Sequence, residues 1–353
     1  MRKALILLPV FFCLFIAGCY DSTEIDDLAY VVAIGIDKGT DDATLVTFQY
    51  AVPLNISGGA DSSGGEGSPL SSVTFETNTV HLAADMANDK MAKITDLSHI
   101  KLIVLSEDIA KEGLSAYRTD LREALDIRPD TCLAVCKGKA KNCLSAVSTP
   151  LELNPSRYYE DYFSNAESVY SVRQQAGEFF DGKSDFPLPY LTYDTVLQTD
   201  GMAIIKNDRM QAHYFAEDAV IYNLLKNEFT DLKFETEEGV FRLDARLPPA
   251  FRVQTGDKPN ISVSLSLTGE AVTGAELIAS SEKAEQVLCT ALKKRILNFL
   301  YKTQKTDCDI LGIGDHAKKN FLTEQGFNAY AWQEKYSKAT FDVNISFRCT
   351  RRK

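Results

Sequence analysis

One run of residues limits the fold more than any other. Ala29-Tyr-Val-Val-Ala-Ile-Gly-Ile36 is almost unbroken apolar, β-branched sequence, and a strand with no polar alternation has no face to give to water. The chain must therefore build a sheet covered on both sides. Asp37-Lys-Gly-Thr-Asp-Asp42 turns the chain, and Thr44–Val52 reads as a second strand, so a hairpin is expected. Composition allows such a body: 45% of the 353 residues are hydrophobic and 25% charged. Those fractions exclude collagen, a disordered tail protein and an all-helical coiled coil, and the length suits two or three domains.

From Asn55 to Ser72 the composition shifts to Gly, Ser, Asp and Glu, which predicts a flexible surface insertion with nothing apolar to bury. A short strand follows at 72–76. Residues 79–93, with Leu82 and Met86 on an alanine-rich background and no Gly or Pro, favour a helix. Strands at 100–105 and 131–136 alternate with helices at 108–111, 114–126 and 140–147, which implies a sheet with helices packed on it. Residues 154–180 read as a longer helical stretch. Gly182 and the Pro187/Pro189 pair end it.

The expected domains are therefore an N-terminal one over 19–185, a linker over 186–200, and a C-terminal region over 201–353 with a division into two subdomains near 255. The last region carries strands at 201–205 and 210–215 around an Asn207-Asp208 turn, a helix at 219–226, and strands at 229–234, 240–247 and 261–267. The alternating Ile261-Ser-Val-Ser-Leu-Ser-Leu267 gives one face to the core. Ser281–Thr303 is the clearest helix: Glu282 and Glu285 lie in its first turns, Lys293, Lys294 and Arg295 further along, and Leu288, Leu292, Ile296 and Phe299 line one side. A final strand over 340–348 turns Phe341, Val343, Ile345 and Phe347 inward. The fold class is α+β, two to three domains, each a mixed or mostly antiparallel sheet with helices packed on it.

The N-terminus sets the address. Arg2 and Lys3 precede an uncharged stretch from Ala4 to Gly18, a signal-peptide pattern and shorter than a membrane span of about 20 residues. Ile16-Ala-Gly-Cys19 looks like a bacterial lipobox, which makes 1–18 a lipoprotein signal peptide and Cys19 the lipid attachment residue. Losing Arg2 and Lys3 with the signal moves the formal charge from −11 to −13. That charge argues against nucleic acid and against adsorption to anionic lipid by charge alone. Acyl chains, at about 0.8 kcal/mol per buried CH₂, would hold the body to a membrane regardless.

Candidate chemistry is sparse. Gly177-Glu-Phe-Phe-Asp-Gly182-Lys183-Ser184 satisfies the GxxxxGK[ST] pattern. A phosphate loop, however, needs a strand before it and a helix after it. Here a helical stretch precedes, prolines follow, and Glu178 and Asp181 would repel phosphate. His81, His99, His213 and His316 show no HxH or HExxH spacing, and there is no GxSxG elbow. Cys132 and Cys136 lie four apart on a predicted strand, about 13 Å between Cα atoms, too far for a disulfide or a shared zinc. They and Cys143, Cys289, Cys308 and Cys349 are expected to be free or buried thiols. No catalytic residue, metal or cofactor is expected.

The order of features resembles the Ger(x)C family, the lipoprotein C subunit of bacterial spore germinant receptors. The similarity rests on Cys19-Tyr20-Asp21, Glu24-Ile-Asp-Asp-Leu-Ala29 and Ile34-Gly-Ile-Asp37. It continues through His99-Ile-Lys-Leu-Ile-Val104 with Glu107, Ala110, Gly113 and Arg122. It ends with Gln304, Asp309-Ile-Leu-Gly-Ile-Gly314, Trp332 and the closing strand ending in Arg348. Tyr20 and Leu311 depart from the family's usual aromatic choices, and the insertion at 55–72 is long. The resemblance implies three sheet-containing domains and a non-enzymatic subunit. It also implies partners, a multispanning A subunit and a transporter-like B subunit at the spore inner membrane, in a complex that senses nutrients such as amino acids, sugars or nucleosides. The reading from another class is a solute-binding lipoprotein that delivers a small ligand to a membrane permease.

Overall fold

The computed structural model describes residues 24–350 apart from 42, 53–67, 125–126, 148–151, 153, 165–171, 173–175, 183 and 195. The expected signal segment over 1–18, Cys19 and most of the expected 55–72 insertion therefore lie outside the described residues. Residues 70–72, at the end of that expected insertion, already belong to a strand.

The first half runs β1 (Leu28–Lys38), β2 (Thr44–Ala51), β3 (Leu70–Thr77), α1 (Val80–Lys90), β4 (Ile94–Asp96), β5 (Leu102–Ser106), α2 (Glu107–Glu112), α3 (Ser115–Ala124), β6 (Cys132–Cys136), α4 (Ala140–Ser145), α5 (Pro155–Ser164) and α6 (Ala176–Phe180). β7 (Asp185–Tyr193), β8 (Leu197–Lys206) and β9 (Arg209–Tyr214) follow and complete a sheet of order β3-β2-β1-β5-β6-β7-β8-β9, with β4 paired parallel to the start of β1. β1 meets β2 antiparallel, the expected hairpin, and β5 parallel. Both its faces are covered: Val31, Ile34 and Ile36 enter one core and Val32 and Ala33 the other. A bulge between Val31 and Ala33 lets two consecutive residues share a face.

Local chemistry sets the element ends. Thr79 caps α1 by accepting from the Leu82 N–H, and Ser106 caps α2 through Ile109. The expected helix over 79–93 is α1, and it turns its small side inward. Its small residues Ala83, Ala84 and Ala87 pack inward, and Leu82 stays 46% exposed. The helix thus approaches the sheet closely, which a leucine face would prevent. Of the long helical stretch expected over 154–180, α5 and α6 are its two ends.

The second half runs α7 (Ala216–Lys226), β10 (Leu232–Thr236), β11 (Gly239–Gln254), β12 (Asn260–Ala271), α8 (Ala275–Ala279), α9 (Ser281–Lys305), α10 (Ile313–Lys318), α11 (Glu324–Tyr330), α12 (Trp332–Tyr336) and β13 (Thr340–Cys349). Its sheet has order β10-β11-β12-β13, antiparallel except for the parallel β12–β13 pair that the helices bridge. Ser280 caps α9, which lays Leu288, Leu292, Ile296 and Phe299 into the core. Ile261, Val263, Leu265 and Leu267 are buried as their alternation predicts.

The expected linker over 186–200 is largely strand: 186–193 belong to β7 and 197–200 to β8, both inside the first sheet. Pro187 and Pro189 fit because β6 pairs with β7 only at Tyr190 and Leu191, so their missing N–H groups fall where that ladder has not begun. The first sheet consequently runs on to Tyr214, past the expected end at 185. Residue 255 is not a division between subdomains, since 255–259 merely turn β11 into β12, which pair along nearly their whole length. β8 alternates so that Ala203 and Ile205 join the first core while Met202 and Ile204 join the second. One strand serves both halves.

Candidate functional site: two buried carboxylates and the seam between the halves

The residues that carried the sequence resemblance are mostly internal fastenings. Asp37 ends β1 almost fully buried, its carboxylate accepting from the Ala140 N–H at 2.6 Å and the Lys141 N–H at 2.8 Å. These N–H groups open α4 and have no partner inside the helix. Two residues earlier, Gly35 lets α4 sit directly on β1: a Cβ there would stand 3.1 Å from Leu144 and 3.3 Å from Ala140. Gly-Ile-Asp thus seats one short helix. Burial pushes the Asp37 carboxyl above the ordinary Asp value of 3.8, with the two N–H donors pulling the other way.

Asp309 repeats the device in the second half. Its carboxylate accepts from Ile313 N–H at 2.9 Å and Gly314 N–H at 2.6 Å, which open α10, and from the Trp332 indole N–H at 3.0 Å. Gly314 is required by contact, because a Cβ would lie 2.8 Å from the indole ring. Gln304 completes the block by donating to the Tyr336 and Ala339 carbonyls at 2.9 and 2.8 Å. Burial raises the Asp309 carboxyl too, and the neighbouring charge of Asp185 adds to the rise.

Asp185 marks a polar seam between the halves that sequence reasoning missed. Its carboxylate, at the start of β7, accepts from the Asp309 N–H at 3.1 Å and from Gln333 at 3.4 Å. Beside it Lys206, at the end of β8, holds the Asp307 carboxylate and carbonyl, and the Cys308 thiol reaches the Ile205 carbonyl at 3.4 Å. Tyr214 of β9 donates to the Lys302 carbonyl at 2.9 Å. Partners more than 80 residues apart in sequence leave no local pattern to read.

The remaining sequence candidates do not converge. His99 stacks edge-on against Tyr30 at 4.9 Å and pairs with Asp96 at 3.3 Å, tying its loop to β1. His213 contacts the Asp200 carbonyl at 2.6 Å and stacks on Tyr190, and His316 faces Phe251. Among the described residues no three His, Cys, Asp or Glu side chains gather as a metal site. Cys132, Cys136, Cys143, Cys289, Cys308 and Cys349 are free thiols, and burial pushes the Cys132 and Cys308 thiols well up, away from reactive thiolate. The GxxxxGK[ST] segment begins inside helix α6 and ends just before strand β7, the reverse of the order that cradles phosphate. A groove of about 760 Å³ runs along α9 beside the 236–238 turn, open to solvent and lined by Glu282, Gln286, Val287, Thr290 and Lys294. It lacks the enclosed apolar lining typical of a small-molecule site.

Comparison with known proteins accounts for nearly the whole described body. A family model described as spore germination protein N-terminal domain matches residues 21–193, and one described as spore germination B3/GerAC like, C-terminal, matches 200–352. Spore germination protein KC of Bacillus subtilis (strain 168) is 24% identical, over 95% of this chain and 92% of that protein. Putative spore germination protein YfkR of the same organism is 21% identical, over 94% and 91%. The crystal structure of the GerBC protein superposes with a TM-score of 0.56 over 90% of this chain and 96% of its own, at 16% identity, a likeness of fold.

Proposed function

From the premise that the chain belongs to the GerAC-like spore germination family, the C subunits of germinant receptors, we propose that it acts as a lipid-anchored, non-enzymatic subunit. It assembles with polytopic A and B subunits at the spore inner membrane, where the complex senses nutrients and triggers germination. The observation that carries this reading is the use made of the signature residues. Asp37, Gly35, Asp309, Gly314, Gln304 and Trp332 are spent on internal packing, which suits a scaffold that meets partners rather than a site that turns over substrate. No helix among the described residues is long and apolar enough to cross a membrane. Attachment is assigned to the thiol of Cys19, with a diacylglyceryl group in thioether linkage.

The test is Cys19→Ala in spores. The reading expects loss of fatty-acid labelling, loss of the chain from the inner-membrane fraction, and loss of the nutrient response. Labelling that persists, or a normal nutrient response from unlabelled protein, would overturn it.

A further inference from the structure

The two ends of the second sheet are built differently. β10 covers β11 only as far as Leu243, leaving 244–254 of β11 as an edge. That edge is guarded: Pro248 and Pro249 interrupt it, two register shifts bend it, and Asn320 occupies the Val253 carbonyl at 2.9 Å. β13, at the other end, has none of this. It pairs with β12 in unbroken register from Thr340 to Cys349, without a proline or a bulge, and no strand lies beyond it among the described residues.

The direction of its free groups follows from two bonds. Thr340 N–H donates to Pro259 at 2.9 Å and Thr350 N–H to Gly269 at 2.6 Å, so even-numbered residues face β12. The N–H and C=O groups of Phe341, Val343, Ile345, Phe347 and Cys349 therefore point outward. Among the described residues the Cys289 thiol of α9 leans over this edge, on the Ile345 carbonyl at 3.9 Å and near the Phe347 N–H, weak contacts that an incoming strand can displace. Ten residues of straight strand present a template for another strand.

We propose that a second copy of this chain adds its own β13 antiparallel to this edge, across a two-fold axis at Ile345, joining two four-stranded sheets into one. The side chains carry the choice of occupant. Pairing about Ile345 sets Val343 opposite Phe347 and Phe341 opposite Cys349 as hydrogen-bonded pairs, using the outward groups of both copies. On the exposed face it sets Asp342 opposite Arg348 of the second copy, and Asn344 opposite Ser346, each twice. All four side chains are exposed, and oppositely charged residues directly across a strand pair attract. The strand is self-complementary in charge, as an isologous interface requires.

The experiment uses the full chain in detergent, with self-association followed by sedimentation. Asp342→Arg and Arg348→Asp each set like charges against each other twice and should weaken the dimer about tenfold. The Asp342→Arg/Arg348→Asp double variant should restore it. Both substitutions lie on the exposed face, and near-UV circular dichroism of the three variants checks the fold. In a separate chain, Asn344→Cys with Ser346→Cys should give a disulfide-linked dimer under mild oxidation, those positions being near neighbours across the axis. A monomer at all concentrations, a double variant as weak as the singles, or cross-linking of these cysteines to a different polypeptide would overturn the proposal.

Discussion

Asp37 in the first half and Asp309 in the second each close the start of a short helix with a buried carboxylate, yet their reach differs. Asp37 meets two backbone N–H groups and fixes α4 on β1. Asp309 also holds the Trp332 indole, and its own N–H is held by Asp185 of the first sheet. The same chemistry is a local fastening in one place and a join between halves in the other. The difference teaches that a signature residue can matter through how far its partners lie apart, without touching any ligand.

Four sets of measurements weigh the two fastenings against each other. Trp332→Ala should have the largest effect, about 4 kcal/mol in chemical denaturation, since it empties a buried ring site and strips Asp309 of a donor. Asp309→Ala should cost about 3 kcal/mol and Asp37→Ala about 2 kcal/mol, because three donors are orphaned in the first case and two in the second. Equal costs would show that the seam adds nothing to the capping bonds.

The third set varies pH. Both carboxyls titrate above the ordinary Asp value when folded, so the folded state binds protons more readily than the unfolded chain. Each contributes stability that is fully present below about 3.8 and is lost as pH rises through its folded value. Denaturation midpoints of the wild type should therefore fall, relative to Asp309→Asn, as pH rises out of the acid range. Asp37→Asn should give the same sign, and an opposite slope for either would contradict burial as the ruling cause. The smallest effect belongs to Lys318→Ala, which removes an exposed pair with Glu324 at 2.7 Å. Its midpoint should match the wild type within error.

Much of the body was legible in the chain. The unbroken run at Ala29–Ile36 demanded a sheet covered on both faces, and the alternation at Ile261–Leu267 and the charge order of α9 reported their own environments. The turn at Asn207-Asp208 was also correct, both residues taking positive φ. What failed was anything decided by distant partners. The proline pair reads as a linker because its sequence cannot reveal that the β6–β7 ladder begins only at Tyr190. The alanine-rich stretch reads as a helix, but its sequence does not say that Ala83, Ala84 and Ala87 form the contact with the sheet. The lipobox-like pattern ending at Cys19 is local and lies outside the described residues. The roles of Asp37 and Asp309 are not local, because the N–H groups they hold are named only by the fold.

Asp37 and Asp309 make internal fastenings, and a change at either acts on the fold first. Spores carrying Asp309→Asn, assayed for the amount of this chain and for the nutrient concentration giving half-maximal germination, test it most directly. A fastening role gives less chain per spore and a smaller response at an unchanged half-maximal concentration. A normal amount of chain with a shifted half-maximal concentration would contradict it.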